Sequence, residues 1–267
     1  MDAVPDVGSE SNTEINKNVT DPISLTWSLK TKNVITLLDV QPHGDQPEYR
    51  LQFQPTLPAL LTSDFKLIAR PEFTLVEDKP YTSDDELQRS TGVGDTVLDL
   101  VIGPVSDPWL VALGPTFIFP TASTDHTGQG KWQAGPAGVA GYRSKTWLAA
   151  LIAQQWWSFA GAEDRAAVSQ LHLQYLASYF FGDGWSIGTD PTIKFDWRAS
   201  PGNKVTFPIG PLVGKVVRLA GTPVTLQLDA NYFPVRPESN GAQCEIDIKI
   251  VPVIPALLPH PLFGDRS

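Results

Sequence analysis

GWSIGTDPTIKFDW, residues 184–197, carries the decisive pattern. Its positions sort by chemistry: Trp185, Ile187, Pro191, Ile193, Phe195 and Trp197 on one side, Ser186, Asp190, Thr192, Lys194 and Asp196 on the other. Successive side chains of an extended strand point to opposite faces, so this stretch reads as a strand with one apolar and one polar face.

The same sorting recurs along the chain. Residues 64–76 set Phe65, Leu67, Ala69, Phe73 and Leu75 against Lys66, Arg70, Glu72 and Thr74. Residues 168–181 set Leu171, Leu173, Tyr175 and Tyr179 against Gln170, His172, Gln174 and Ser178. Near the end, Cys244, Ile246, Ile248 and Ile250 oppose Glu245, Asp247 and Lys249. Together with weaker cases, the alternation predicts strands near 23–38, 48–60, 64–76, 93–105, 109–120, 131–143, 146–159, 168–181, 184–197, 204–218, 222–236 and 243–255.

Alternation alone does not separate a barrel from a sandwich; the connections do. Tight links such as Thr62-Ser63-Asp64, Ser106-Asp107-Pro108, Arg143-Ser144-Lys145 and Gly182-Asp183-Gly184 take turns with longer polar segments: VQPHGDQPE, EDKPYTSDDELQRST, TASTDHTGQG, AGAEDRAA, RASPGN and RPESNGA. Short turns at one end and long loops at the other are the asymmetry of outer-membrane barrels. Aromatic residues add a second argument. Trp109 and Phe119, Trp147 and Trp157, and Trp185 and Trp197 bracket three strands, at spacings close to the ~9–11 residues a tilted strand needs to cross a bilayer. Rings at both ends of a strand suit the headgroup level, so these six are the candidate membrane-interface aromatics.

The fold expected is therefore all-β: a transmembrane antiparallel up-and-down barrel of about twelve strands. Six segments, FQPTLP, ARPEFT, LGPTFI, AGPAGV, TDPTIK and IGPLVG, place a proline near mid-strand. Proline cannot donate to a ladder and a closed barrel has no edge to hide it, so bulges or a bend at these levels are expected.

The 267 residues are 42% apolar and only 18% charged, with a formal net charge of -9. Such acidity excludes the basic footprint of a nucleic-acid binder. It would suit a cation-friendly lumen or simply a solubilising surface. Cys244 is the single cysteine, and the four histidines have no short ligand spacing; neither a disulfide nor a metal site is expected. No phosphate loop, GxSxG elbow, HExxH or dinucleotide fingerprint is present. No enzyme activity and no cofactor are expected. Charge at the lipid midplane costs about 2–4 kcal/mol, so the charged and polar strand residues must point inward. The candidate lumen-lining residues, forming either a solute path or a balanced filling, are Arg50, Lys66, Arg70, Glu72, Asp95, Asp99, Gln170, His172, Gln174, Asp190, Lys194, Asp196, Asp229, Glu245, Asp247 and Lys249.

Several of these segments also resemble a known family. TGVGDTVLDL, LGPTFIFPTA, GKWQAGPAGV, AQQWWSFAG, LQYLASYFFGDGWSIGTDPTIKFDW and VTFPIGPLVGKVVRLAGTPV are similar to bacterial proteins commonly labelled, misleadingly, neuromedin U. These belong with the outer-membrane family named for the meta-pathway of phenol degradation. The resemblance spans roughly residues 22–255. It implies a bacterial outer-membrane barrel that helps transport small, often hydrophobic or aromatic compounds, and it brings no catalytic residues. Outer-membrane barrels also tend to end on an aromatic residue; here Phe263 lies four residues before the last.

The organisation expected is a disordered periplasmic tail at 1–21, a barrel at 22–256 and a C-terminal tail at 257–267. No signal peptide is visible ahead of Asp21, so an outer-membrane location expects one that was removed or truncated. Lipid and a small solute are the expected partners. The rival expectations are a structural barrel with a filled lumen and a soluble all-β binding protein.

Overall fold

A computed structural model describes residues 10–238, 240–258 and 260–263. Helix α1 (Asn12–Thr20) precedes fifteen strands: β1 (Ser28–Val40), β2 (Gly44–Leu60), β3 (Phe65–Ser83), β4 (Glu86–Gly92), β5 (Thr96–Pro104), β6 (Trp109–Phe119), β7 (Lys131–Arg143), β8 (Trp147–Gly161), β9 (Ser169–Phe181), β10 (Trp185–Thr189), β11 (Thr192–Asp196), β12 (Val205–Ile209), β13 (Leu212–Leu219), β14 (Thr222–Val235) and β15 (Gly241–Pro252). All pairings are antiparallel, and β1 joins β15 through a register running from Thr31↔Ile250 to Asp39↔Gly241. The sheet thus closes on itself. β10 with β11, and β12 with β13, each make one interrupted stave, and β4 pairs only with the far end of β3. What remains is a twelve-stave barrel.

The prolines have a physical account. β10 gives way to β11 at Asp190-Pro191, and β12 to β13 at Gly210-Pro211. Elsewhere the ladder skips at the same chemistry: β7 pairs with β8 up to Ala134↔Trp157 and resumes at Ala137↔Gln154, passing over Gly135-Pro136. A Cβ on Gly114, Gly135 or Gly210 would overlap the carbonyl oxygen of Leu100, Gln155 or Ala230 on the adjoining strand. Each Gly-Pro step therefore gives up one ladder donor and lets its glycine sit tight against the neighbour.

Three expectations are revised. The first strand begins at Ser28 rather than near 23, because Ile23 turns inward to pack with Ile68, Leu110, Val139, Leu148 and Phe180 inside the barrel. Residues 12–20 of the expected disordered tail form α1; residues 1–9 of that tail lie outside the described residues. The Ser11 side chain caps the helix by accepting from the Glu14 amide, as an S-x-x-E signal does. The segment looks disordered because it is polar and its apolar stripe is only Ile15 and Val19. These two pack on Val216 and Val253, and the rest of the segment meets polar groups of the barrel interior. The long segment 77–91 is also more ordered than a loop: it extends the β3–β4 hairpin beyond the barrel, with Arg89 bonded to Asp78 and to the Pro47 carbonyl.

Candidate functional site

The barrel encloses a chamber of about 290 Å³. Its walls come from alternate residues of the staves, because the period-two geometry that sends Ile246, Ile248 and Ile250 outward sends Glu245, Asp247 and Lys249 inward. Arg50, Arg70, Glu72, Asp99, His172, Gln174, Asp190, Lys194, Asp229, Glu245, Asp247 and Lys249 all line it.

Four predicted lining residues stand elsewhere. Lys66 is buried at the short-turn end of β3. Asp95 precedes β5 and clasps a loop, accepting from the Ala122 and Gln129 amides at 3.2 and 2.8 Å. Gln170 bonds Gln133 near the long-loop rim at 3.1 Å, and Asp196 closes β11 at that rim, accepting from the Arg198 amide. These four obey the alternation but sit at strand ends, and alternation gives the face without the depth.

Lys30, Lys32, Gln52, Gln54, Gln154 and Trp156 also line the chamber and were not singled out from sequence. The lysines lie on β1, where Thr31 and Asn33 stand on the outer face and blur the contrast; Asn33 is supplied there by the Tyr49 hydroxyl at 3.1 Å. The phase could have been read from Lys30, Lys32, Val34 and Thr36. Gln52 and Gln54 fall on the polar face opposite Leu51 and Phe53 in the sequence alternation, and Trp156 is an apolar ring on an inward face, which alternation alone assigns to the lipid side.

Ion pairs organise the walls. Lys32 meets Glu72 at 2.6 Å, Arg70 meets Asp99 at 3.3 Å, and Arg50 meets Glu245 at 3.1 Å. Lys249 holds Asp190, Asp229 and Asp247 at 2.7, 3.0 and 3.8 Å. Asp99 accepts further from Thr116 and Gln154, and Trp156 donates to Thr116 while its ring meets His172 edge-on at 4.9 Å. The opposite wall, on β8 and β9, is amide and aromatic rather than charged.

On the short-turn side the N-terminal segment fills the bore. Arg143, at the end of β7, donates to Asp21 at 3.1 Å, Asn18 at 2.7 Å and Glu14 at 3.4 Å. Asn16, fully buried, donates to the Gly184 carbonyl and the Ser186 hydroxyl. Arg218 bonds Asn12 and the Glu10 carbonyl, and Ile15 packs on Val216 and Val253. Burial pushes the Asp21 carboxyl up from its usual range, against the opposing pull of the Ile23 amide and Arg143. Thr20, Asp21 and Pro22 border a smaller void of about 50 Å³ that shares Lys30, Arg70, Gln174 and Asp190 with the chamber. The segment is a plug, and its tip is the floor.

The outer face is apolar, with rings concentrated at both ends of the staves. At the short-turn end Trp109, Tyr142 and Trp147 run together at 5.0 and 5.3 Å, and Trp147 is registered against Tyr179 and Trp185 against Phe181. Lys215 lies over the Trp185 ring at 5.1 Å. At the long-loop end stand Phe119 with Trp132 at 5.6 Å, Trp157, and Trp197 with Phe195 at 5.4 Å. Trp109, Trp147, Trp157, Trp185 and Trp197 are all well exposed.

No protein-family model and no curated protein sequence matches the chain. Solved structures do. The fold is similar to an outer membrane channel from Pseudomonas putida F1, with a TM-score of 0.65 at 13% identity, over 88% of this chain and 98% of that one. It is also similar to the NanC porin, with a TM-score of 0.51 at 9% identity, over 86% and 99% of the two chains. These likenesses establish the fold: a closed antiparallel barrel of the kind that outer-membrane channels have.

Proposed function

We propose that the chain is a bacterial outer-membrane channel for small solutes, closed on its periplasmic side by its own N-terminal segment. The observation that carries this is the inversion of polarity. Ion pairs and amides face inward, while Leu113, Leu151, Ile187, Leu228 and Ile248 are about half exposed or more on the outside, between two levels of aromatic rings. Water offers no reason for that arrangement, and a bilayer does. The short turns and the plug then face the periplasm, and the chamber lies between the plug and the long loops.

The polar chamber selects among the solutes that the family resemblance implies. A purely hydrophobic compound would meet ion-paired walls that cannot be desolvated cheaply. A small compound with a polar or charged group, its apolar part against Trp156, Ile118 and Phe233, fits better. A filled structural barrel is the competing reading, and the plug is what favours it.

Conductance of the full chain in planar bilayers separates the two. The wild type is expected to show small, rare openings. Arg143→Ala removes three contacts to the plug and should raise the time-averaged conductance severalfold. A barrel that stays silent in both forms, though correctly folded, supports the filled reading.

A further inference from the structure

Resting on the channel reading, the charge ledger of the chamber goes one step further and gives the class of solute. Six carboxylates line it, and every one of them is engaged: Glu72 by Lys32, Asp99 by Arg70, Glu245 by Arg50, and Asp190, Asp229 and Asp247 all by Lys249. Four cations satisfy six acids. Two cations of the same lining, Lys30 and Lys194, have no hydrogen-bond or ion-pair partner among the described residues. An entering cation would have to compete for a carboxylate already held by a lysine or arginine. An entering anion meets two ammonium groups that no carboxylate occupies.

The two lysines stand at different depths. Lys30 also borders the void above the plug tip, together with Asp190. Lys194 lies four residues beyond Asp190 on the same stave, toward the long loops, or roughly 13 Å along the strand at ~3.3 Å per residue. His172 is registered beside Lys194 and, like it, lines the chamber.

We infer that the chamber binds small organic anions of the carboxylate class, which meet Lys194 first and Lys30 at the floor. The volume sets the size: about 290 Å³ is at the bottom of the ~300–1,000 Å³ range of small-molecule pockets, so the acid is small. The protein's net charge of -9 does not oppose this, because the six acids and six bases of the lining cancel.

The test uses the full chain in detergent at low ionic strength, with acetate and tetramethylammonium as probes, each titrated by saturation-transfer NMR on its methyl signal. Acetate is expected to bind saturably and tetramethylammonium is not. Lys30→Met or Lys194→Met should weaken acetate by about fivefold or more, the scale of one ion pair. The double Met variant should abolish binding, and Lys30→Arg and Lys194→Arg should keep it. A heat-modifiable gel band reports folding of each variant, and the wild-type comparison of the two probes decides the charge preference even where a Met variant misfolds. Absent acetate binding, equal binding of tetramethylammonium, or binding that survives the double substitution would overturn the inference. Because binding is read without conduction, a silent bilayer recording would strike the channel reading and leave this result standing.

Discussion

Arg143 stands at the end of a strand nearly half alanine and glycine, and nothing in its neighbours announces a partner 122 residues away. Yet its guanidinium reaches Asp21, Asn18 and Glu14 together, using the planar fork that lysine lacks. Asp21 is the most deeply placed of the three and accepts from the Ile23 amide as well. Its carboxyl is held above its ordinary range by burial, so the docked plug keeps that proton more tightly than an undocked plug would in water. Docking is then strongest below the ordinary carboxylate range and weakens as pH rises through the raised value. Conductance is accordingly expected to fall as pH is lowered toward about 4. Asp21→Asn, which keeps the size and removes the titration, should shrink that response by roughly half or more. A wild-type and an Asn variant with superimposable pH profiles would show that Asp21 does not govern docking.

At the scale of the element, the Gly-Pro steps explain why the barrel tolerates three of its six mid-strand prolines, Pro115, Pro136 and Pro211, while Pro55 and Pro71 share a gap in the β2–β3 ladder between Phe53↔Phe73 and Leu57↔Ala69. The tight approach of Gly135 to the Gln155 carbonyl predicts that Gly135→Ala forces the strands apart and blocks formation of the heat-modifiable, folded form. Gly138, three residues on in the same strand, is the control. A Cβ there would meet Leu113 Cδ1 at 3.6 Å and the Ala112 oxygen at 3.7 Å, ordinary contacts, so Gly138→Ala should fold as the wild type does. The staves themselves were legible because Trp185, Ile187, Ile193 and Phe195 could alternate with Ser186, Thr192 and Lys194 without ambiguity. The breaks inside two of them were not, since a proline marks a lost donor without saying whether the strand bulges or stops. The plug was illegible for a different reason. Asn16 and Asn18 are buried by contacts with residues such as Gly184, Ser186 and Arg143 that lie far along the chain. Low hydrophobicity normally signals disorder only because the usual partner is an apolar core.

For the molecule as a whole, the membrane reading turns on what the outer surface meets, and two leucines of nearly equal exposure can decide it. Leu113, mid-way along β6, is 68% exposed, and Leu257, past the last strand, is 70% exposed. In water they are equivalent, and lysine at either position would cost almost nothing. In a bilayer they differ: lysine at a midplane position costs about 2–4 kcal/mol, while a position beyond the barrel is spared. Leu113→Lys is therefore expected to lower the yield of folded protein in lipid vesicles sharply, and Leu257→Lys to leave it unchanged, by gel shift after refolding into phosphatidylcholine. The same two variants bear on the rival reading of a soluble all-β binding protein. If both fold equally well without lipid or detergent, the apolar face is a water-exposed surface awaiting a protein partner, and the chamber is a binding site rather than a passage. If only the Leu113 variant fails, and only in lipid, the polarity inversion has its cause. The ion-paired chamber then follows from it, because charges barred from the outer face have nowhere but the lumen to gather.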